Sequence, residues 1–277
     1  MPELPEVETV RLGLAPVLEG HTLTRVEQRR ADLRRPFPDD FVQALQGQKV
    51  ERLARRAKYL LIHLATGRVL IVHLGMSGSF RVHTNGEAPP PGKHDHVVFE
   101  TAAGATLFYH DPRRFGSMDL ADGDALEDHP LIRVIGPEPL NPAFDGAALA
   151  ARLADRKTTI KAALMDQGTV AGLGNIYVCE ALFRAGLSPK RKAYTVQGDR
   201  AARLVAAIKD VLAEAIRSGG SSLRDHKQVS GEMGYFQHAF AVYGREGEPC
   251  PDCTCDGGIR RLVQQGRSTF YCATRQR

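Results

Sequence analysis

The spacing of apolar residues changes near the middle of this chain. From residue 22 to about 120, short runs rich in Val and Leu alternate with turn signals such as Ala65-Thr66-Gly67, a pattern typical of antiparallel strands. Beyond residue 145 the apolar spacing lengthens to about three and a half residues, which indicates helices. Four prolines and a glycine between His129 and Asp145 interrupt both patterns. We therefore predict an α+β chain with an N-terminal β-sandwich domain (1–130), a linker (131–146) and a helical domain (147–240).

Individual elements follow from the same periodicities. The helix over 200–217 is the clearest, because Leu204, Ile208, Leu212 and Ile216 recur on one face. After residue 240 short strands surround a cysteine cluster, which predicts a C-terminal β-hairpin finger (241–277). Further helices are predicted over 147–154, 158–166 and 176–185, and strands over 22–27, 49–53, 59–64, 69–74, 80–83, 96–99 and 106–110.

Length, composition and charge indicate the number of domains, the location of the protein and the kind of partner it binds. The 277 residues suffice for two domains with cores. The chain has no run of eighteen apolar residues and no basic-then-apolar leader, so we expect a cytoplasmic protein. Its net charge of +5 and pI near 9.0 favour a polyanionic partner such as nucleic acid.

The N-terminus offers an unusual amine. If Met1 is removed, Pro2 presents a secondary amine with a reference pKa of roughly 7.7 to 8.0, so that part of it is uncharged and nucleophilic near neutrality. Glu3 stands beside it and could exchange protons with a substrate. Alternatively, Pro2 and Glu3 simply begin a helix, because Pro5 and Glu6 suit a first turn and Val7, Val10 and Leu14 form an apolar stripe.

Four of the five cysteines fall in the last 28 residues: Cys250, Cys253, Cys255 and Cys272. Such clustering in a cytosolic protein favours a metal over disulfides. Cys250 and Cys253 have the spacing of half a tetrahedral zinc site.

Six segments, in order along the chain, resemble bacterial formamidopyrimidine-DNA glycosylases. They are the opening run Met1-Pro-Glu-Leu-Pro-Glu-Val-Glu-Thr9 and the segments 55–60, 73–78, 110–116, 165–177 and 264–272. Members of this family excise oxidised purines, namely 8-oxoguanine and formamidopyrimidines, from duplex DNA and then cut the strand. The resemblance implies a base excision repair enzyme, a bifunctional glycosylase and abasic-site lyase that works as a monomer, with DNA bent in a basic cleft between the domains.

The resemblance also implies catalytic roles. Pro2 would attack the sugar of the damaged nucleotide and form a Schiff base, with Glu3 as its proton partner. Lys58 and Arg267 would support β,δ-elimination, which removes the abasic sugar. From residue type alone, Lys58 could equally be a strand-end charge that reaches solvent.

Further residues match DNA-contact positions of the family. Met76, Arg113 and Phe115 would fill the void left by an extruded base, while His94, Arg113, Arg156, Lys161 and Asn175 would contact DNA. Asn175 lies in a glycine-rich connection that is similar to the family's helix–two turns–helix element, although such a connection can also be purely structural. A loop at Ser230–Phe236 would cover the flipped base or be a plain surface loop.

One position departs from the family pattern. A second pair of cysteines is expected at the end of the hairpin, but Arg275 follows Cys272 where the last cysteine should stand. Cys255, which is absent from the usual pattern, or a nearby Asp or His could supply the fourth zinc ligand, and a zincless finger is the alternative. We expect one zinc ion per chain.

Two other functions compete with this interpretation. One is an endonuclease VIII-like glycosylase for oxidised pyrimidines, although Leu4 instead of glycine and the Met76, Arg113 and Phe115 set favour purines. The other is a lesion-binding protein without catalysis, an idea to which Arg275 lends weight.

Overall fold

The computed structural model describes residues 1–84, 88–221 and 234–277. They form two compact units, of which the first comprises Met1–Arg133 and Ser218–Tyr235 and the second Val134–Arg217 and Phe236–Arg277. This division differs from the predicted domains in two respects. The segment after residue 217 groups with the N-terminal unit, and the cysteine-rich finger groups with the helices.

The first unit begins with helix α1 and continues with two antiparallel sheets, as the predicted β-sandwich requires. One sheet has the strand order β1-β6-β7-β5 and the other β2-β3-β4-β8. The sequence-based prediction missed strand β8 and the short helix α2. The elements are α1 (Leu4–Leu18), β1 (Leu23–Gln28), α2 (Phe41–Leu45), β2 (Val50–Arg56), β3 (Tyr59–Leu64), β4 (Arg68–His73), β5 (Ser79–His83), β6 (Asp95–Thr101), β7 (Thr106–His110), β8 (Ser117–Asp122) and a 3₁₀ helix (Gly123–Asp128).

One apolar core holds this unit together. Helix α1 buries the predicted stripe of Val7, Val10 and Leu14 in the same cluster as residues from both sheets, and it packs against β2 and β3. The central strands β3 and β4 each bury four of their six residues and leave none fully exposed, because side chains on both of their faces are covered. The resulting sandwich is a rigid support for the loops between its strands.

The second unit combines four helices with a hairpin. Its elements are α3 (Gly146–Leu153), α4 (Ile160–Met165), α5 (Asn175–Arg184), α6 (Asp199–Arg217), β9 (Ile259–Gln264), β10 (Arg267–Cys272) and two 3₁₀ turns (Ala193–Thr195 and Phe236–Ala239). Leu204, Ile208 and Leu212 of α6 are buried as predicted. Within the described ranges, no helix is both long enough and apolar enough to span a bilayer.

A buried glutamate joins α5 to the segment that leads into the hairpin. Glu180 is fully buried, and its carboxylate accepts hydrogen bonds from the backbone N–H groups of three consecutive residues, Ala241, Val242 and Tyr243, at 2.8 to 3.0 Å. Three such donors compensate a carboxylate for its lost hydration. Helix α5 also packs directly on β10. The hairpin is therefore anchored to the helices from two sides.

We predict that Glu180→Gln lowers the free energy of unfolding by about 2 kcal/mol, because an NH2 group then faces a buried N–H donor. Glu214→Gln is the matched control. Glu214 of α6 pairs at 2.7 Å with Arg184, which lies in α5 as Glu180 does, but Glu214 is 40% exposed. The control should lose less than about 1 kcal/mol. Urea unfolding of the full chain measures both values, and equal losses would contradict the assigned role of Glu180.

Candidate active site and nucleic-acid interface

Pro2 and Glu3 lie at the start of α1. Glu3 is the N-cap residue and is 4% exposed, and its backbone N–H donates to Oε2 of Glu6 at 2.8 Å. Pro2 is buried, whereas Met1 is 49% exposed, so removal of Met1 takes away an exposed residue and no part of the core. The helix-start interpretation and the nucleophile interpretation are therefore compatible, because the same turn that starts the helix fixes Pro2 and Glu3.

Glu6 has a second role that sequence reasoning missed. Its Oε1 accepts hydrogen bonds from the backbone N–H of Ser221 at 2.8 Å and from the Ser221 hydroxyl at 3.0 Å. Glu6 thus ties the first turn of α1 to the segment 218–221. The predicted covering loop, Ser230–Phe236, lies outside the described residues up to position 233. At its described end the Tyr235 N–H donates to the Ser218 carbonyl at 3.0 Å.

Lys58 sits in the two-residue turn that joins β2 and β3, after Ala57 in a left-handed conformation (φ 52°). It is only 5% exposed, so it is not a solvated strand-end charge. Arg55 of β2 bonds to Oε2 of Glu8 in α1 at 3.1 Å. The turn with Lys58 is therefore fixed against the helix that Pro2 and Glu3 begin.

A neutral histidine lies near Lys58. Burial, reinforced by the positive charges of Lys58 and Arg34, lowers the pKa of His73 to about 4. Its Nδ1 accepts a hydrogen bond from the Gly75 N–H at 3.0 Å, which leaves the ring proton on Nε2. An uncharged imidazole adds no charge of its own beside the Lys58 ammonium.

The predicted void-filling residues lie on two loops of the first unit. Met76, after β4, is 41% exposed, and Phe115, after β7, is 42% exposed. The Arg113 guanidinium stacks over the Phe115 ring at 4.8 Å. The loops touch, because a Cβ at Gly75 would overlap the backbone of Phe115. The structure therefore brings an exposed apolar side chain from each loop together with an arginine, as refilling a base stack would require.

His94 precedes β6, and its ring centroid lies 5.9 Å from that of His110 and 6.4 Å from that of His96. It belongs to the first unit, as do Pro2, Glu3 and Lys58. The remaining predicted contact residues all belong to the second unit: Arg156, Lys161, Asn175 and Arg267.

Arg267 follows the hairpin turn, as predicted. Both turn residues, Gln265 and Gly266, have positive φ (49° and 70°), which is the geometry of the tightest antiparallel hairpins. Arg267 is exposed at the start of β10. Its side chain is therefore carried at the tip of a short and rigid hairpin.

Lys161 and Asn175 support that hairpin from the helices. Lys161 is 2% exposed, and its Nζ donates to Thr269 Oγ1 at 2.7 Å and to the Ser268 carbonyl at 3.3 Å. Burial, together with the charge of Arg267, lowers the pKa of Lys161. Asn175, the first residue of α5, donates from Nδ2 to the same Ser268 carbonyl at 2.8 Å. Direct phosphate contacts by these two residues stay predictions, since the described bonds hold the neighbours of Arg267 in place.

The glycine-rich connection between α4 and α5 is organised by Gln167, which sequence reasoning did not single out. Its side-chain amide donates to the Leu173 carbonyl at 2.8 Å and accepts from the Gly172 N–H at 2.9 Å. Arg156, on the exposed surface before α4, pairs with Asp166 at 2.9 Å. The two turns are thereby closed, and α5 begins directly after them at Asn175.

The four C-terminal cysteines converge. The sulfur atoms of Cys250, Cys253, Cys255 and Cys272 all lie within 4.8 Å of one another, and that of Cys272 is 3.5 Å from those of Cys253 and Cys255. Four thiolates about 2.3 Å from a zinc ion stand about 3.8 Å apart, so these four residues fit a tetrahedral site. The hydrogen bond from Cys255 is the main cause that raises the pKa of Cys253 to about 12, and a bound cation would reverse that effect.

Arg275 does not join this cluster. Its Nη2 pairs with Asp252 at 2.9 Å and approaches the Arg184 carbonyl at 3.4 Å, and its guanidinium lies 4.9 Å from the centre of the Phe183 ring. The arginine thus ties the loop between Cys250 and Cys253 to α5. Cys255 occupies the place near the other three sulfurs that the family pattern gives to a cysteine at position 275.

A β-sandwich led by a Pro-Glu helix, a helix–two turns–helix element and a cysteine hairpin together define a class of DNA glycosylases. Two family profiles match in chain order: the formamidopyrimidine-DNA glycosylase N-terminal domain over residues 1–118 and the formamidopyrimidine-DNA glycosylase H2TH domain over residues 135–227. The chain belongs to the formamidopyrimidine-DNA glycosylase family, which confirms the resemblance found in its sequence.

Individual relatives agree over the full length. The formamidopyrimidine-DNA glycosylases of Rhodospirillum rubrum and Beijerinckia indica are 60% and 59% identical to this chain, with complete coverage of both chains in each case. The crystal structure of the MutM (Fpg) protein from Thermus thermophilus is 42% identical, with a TM-score of 0.87 over 99% of this chain and 98% of that one. Lactococcus lactis Fpg, in complex with DNA containing N7-benzyl-Fapy-dG, is 34% identical, with a TM-score of 0.90 and complete coverage of both chains.

We predict that His73 makes stability depend on pH. The unfolded chain protonates this residue below about pH 6.5 and the folded chain only below about pH 4. Its contribution is therefore fully present above pH 6.5 and is lost as the pH falls toward 4, by about 3 kcal/mol in total. Urea unfolding at pH 7 and pH 4.5 should show a smaller pH dependence for His73→Gln than for the wild type. An unchanged dependence would contradict a half-buried His73 that stays neutral.

Proposed function

We propose that this protein excises oxidised purines from duplex DNA and cleaves the strand at the resulting abasic site, as a monomer in the bacterial cytoplasm. The observation that carries the proposal is the position of Pro2 and Glu3, at the head of a helix that Arg55 and Glu8 fix against the turn with Lys58. Full-length similarity to a relative bound to Fapy-dG-type DNA, and to another complex with abasic-site DNA, supports the choice of substrate.

The chemistry follows from a secondary amine. The Pro2 nitrogen attacks the anomeric carbon, the bond to the damaged base breaks, and the base leaves with the bonding electrons and takes up a proton. Glu3 protonates the ring oxygen as the sugar opens, and the amine, having lost its proton, becomes an iminium linked to the DNA. The iminium acidifies the adjacent carbon, so successive loss of a proton and of each flanking phosphate gives β- and then δ-elimination.

Lys58 and Arg267 serve the elimination steps. Lys58 is 5% exposed and lies near the neutral His73, and its amine would contact a phosphate or transfer a proton there. The exposed Arg267 at its hairpin tip suits a planar, two-pronged contact with a departing phosphate. Lys161 and Asn175 hold the hairpin at Ser268 and Thr269.

The exposed side chains on the two loops of the first unit would support extrusion of the damaged base. Met76 and Phe115 would enter the space of the flipped base, and Arg113 would face the orphaned partner base. His94, Arg156 and Asn175 would hold the backbone of the DNA. This set, together with a fully buried Leu4 behind Glu3, supports purine lesions over the oxidised pyrimidines of the endonuclease VIII-like alternative.

A zinc ion would have a structural role. The four sulfurs of Cys250, Cys253, Cys255 and Cys272 form a closed ligand set without an open position, as in structural zinc sites. Bound there, zinc would stabilise the hairpin that carries Arg267. The arrangement also weakens the argument for an inactive relative, because Arg275 replaces a ligand whose place Cys255 fills.

We predict that Cys255→Ser lowers zinc content well below one ion per chain, because three thiolates bind zinc more weakly than four. Cys179→Ala is the control, since Cys179 is buried but lies outside the four-sulfur cluster. The double variant Cys255→Ser with Arg275→Cys should regain zinc through the family's usual ligand position. Elemental analysis of the purified proteins measures all three, and full zinc in Cys255→Ser would contradict the assigned ligand.

We predict that activity requires Pro2 as the first residue. One glycine placed ahead of Pro2 converts the amine to an amide, which should reduce excision of oxidised guanine and elimination at abasic sites by more than about a thousandfold together. The protein that begins at Pro2, verified by intact mass, is the comparison. Retained activity in the extended protein would refute the proposed nucleophile.

A further inference from the structure

Asp111 is a fully buried carboxylate to which the mechanism assigns no step. We infer that Asp111 and Ser77 are positioning residues. They hold the segment with His94 and the two loops that carry the wedge residues Met76, Arg113 and Phe115 together as one rigid surface for insertion into DNA. The inference rests on the proposed function, because it concerns how Met76, Arg113 and Phe115 are presented to a duplex.

The side chain of Asp111 spans both loops. Oδ1 accepts a hydrogen bond from the Ser77 hydroxyl at 2.6 Å, and Ser77 directly follows Met76. Oδ2 accepts from the Gly116 N–H at 2.8 Å, directly after Phe115. The Ser77 oxygen also accepts from the Arg113 N–H at 3.3 Å. Each of the three wedge residues is thus bonded through itself or its immediate neighbour to the Asp111–Ser77 pair.

The backbone of Asp111 holds a third segment. Its N–H donates to the His94 carbonyl at 3.0 Å, and its carbonyl accepts from His96 Nε2 at 2.8 Å. The start of β6, with His94, is therefore connected to the same residue as the two loops. Asp111 therefore connects, through its side chain and its own N–H and carbonyl groups, the two loops with Met76, Arg113 and Phe115 to the segment with His94.

Close packing leaves the loops little freedom. A Cβ at Gly116 would collide with the Tyr109 hydroxyl, and one at Gly75 would collide with the Phe115 backbone. Burial and then the nearby Asp111 charge raise the pKa of Tyr109 well above its ordinary value, so the phenol stays protonated there. These contacts limit how far the two loops can shift relative to each other.

Rigidity matters because Met76 and Phe115 are exposed in the absence of DNA. Wedges that are already aligned lose less conformational freedom when they replace an extruded base than wedges on independent loops. Misalignment should therefore slow reactions that require extrusion from a duplex. Misalignment should not slow reactions on single-stranded DNA, because a strand without a partner leaves no void to fill.

Two variants test the inference in the full-length protein that begins at Pro2. Ser77→Ala removes the hydroxyl that joins the loops. Asp111→Ala removes both acceptor oxygens, so the side-chain bonds to Ser77 and Gly116 are both lost. Thr101→Ala is the matched control, since its buried hydroxyl also accepts a backbone N–H, that of Ala105 at 3.2 Å, at the other end of β6.

The readout is the ratio of two single-turnover rates: excision of oxidised guanine from duplex DNA, and borohydride-trapped adduct formation with an abasic site in single-stranded DNA. We expect both variants to lose about tenfold in the first rate and less than about twofold in the second. Thr101→Ala should keep the wild-type ratio. Melting temperatures identify any variant that fails to fold, in which case the other one decides.

Equal loss of both rates in a folded variant, or no loss in either, would overturn the positioning role. A wild-type protein that neither excises oxidised guanine from duplex DNA nor forms an adduct with the abasic site would instead refute the proposed function itself. The two failures are thus distinguishable.

Discussion

A carboxylate buried in protein is stable only where donors surround it, and three such carboxylates fix the segments on which the proposed chemistry depends. Glu6 binds the N–H groups of Glu3 and Ser221, Asp111 binds Gly116 and Ser77, and Glu180 binds 241–243. Loss of one partner leaves a buried charge uncompensated, which is costly. The start of α1, the loops that carry Met76 and Phe115 and the approach to the hairpin are therefore each anchored to a buried acceptor, so the proposed reactive residues stand on fixed segments.

The C-terminal hairpin brings four cysteine sulfurs together although one cysteine stands at a different position from the family pattern. The sulfur of Cys255, two residues beyond Cys253, lies 3.5 Å from that of Cys272. Position 275, where the family pattern has a cysteine, carries Arg275. The Arg275 guanidinium packs on Phe183 and pairs with Asp252, which connects the loop between Cys250 and Cys253 to α5. Lys161 and Asn175 of the helices bond to the backbone of the same hairpin at Ser268.

Sequence reasoning predicted the elements with long periodic patterns and failed where patterns are short or residues are atypical. Alternating strands and the α6 stripe are confirmed, and so is the β-sandwich. Helix α2 has only five residues, too few for a helical period. Strand β8 begins directly after the segment 110–116, which was interpreted as a functional loop, and was therefore not predicted. The buried bonds of Asp111, Glu180 and Lys161 were not predicted, although Lys161 was expected to contact DNA. Charged side chains are normally exposed, and the Ser77–Asp111 and Lys161–Thr269 partners are 34 and 108 residues apart.

The covalent role of Pro2 is tested most directly by mapping the borohydride-trapped DNA adduct with trypsin and mass spectrometry. The wild-type protein that begins at Pro2 is incubated with duplex DNA containing one oxidised guanine, reduced and digested. The proposed chemistry predicts the sugar remnant on the peptide Pro2–Arg11, at its N-terminal nitrogen. An adduct on a peptide that contains Lys58 or Lys161, with the N-terminal peptide unmodified, would contradict it.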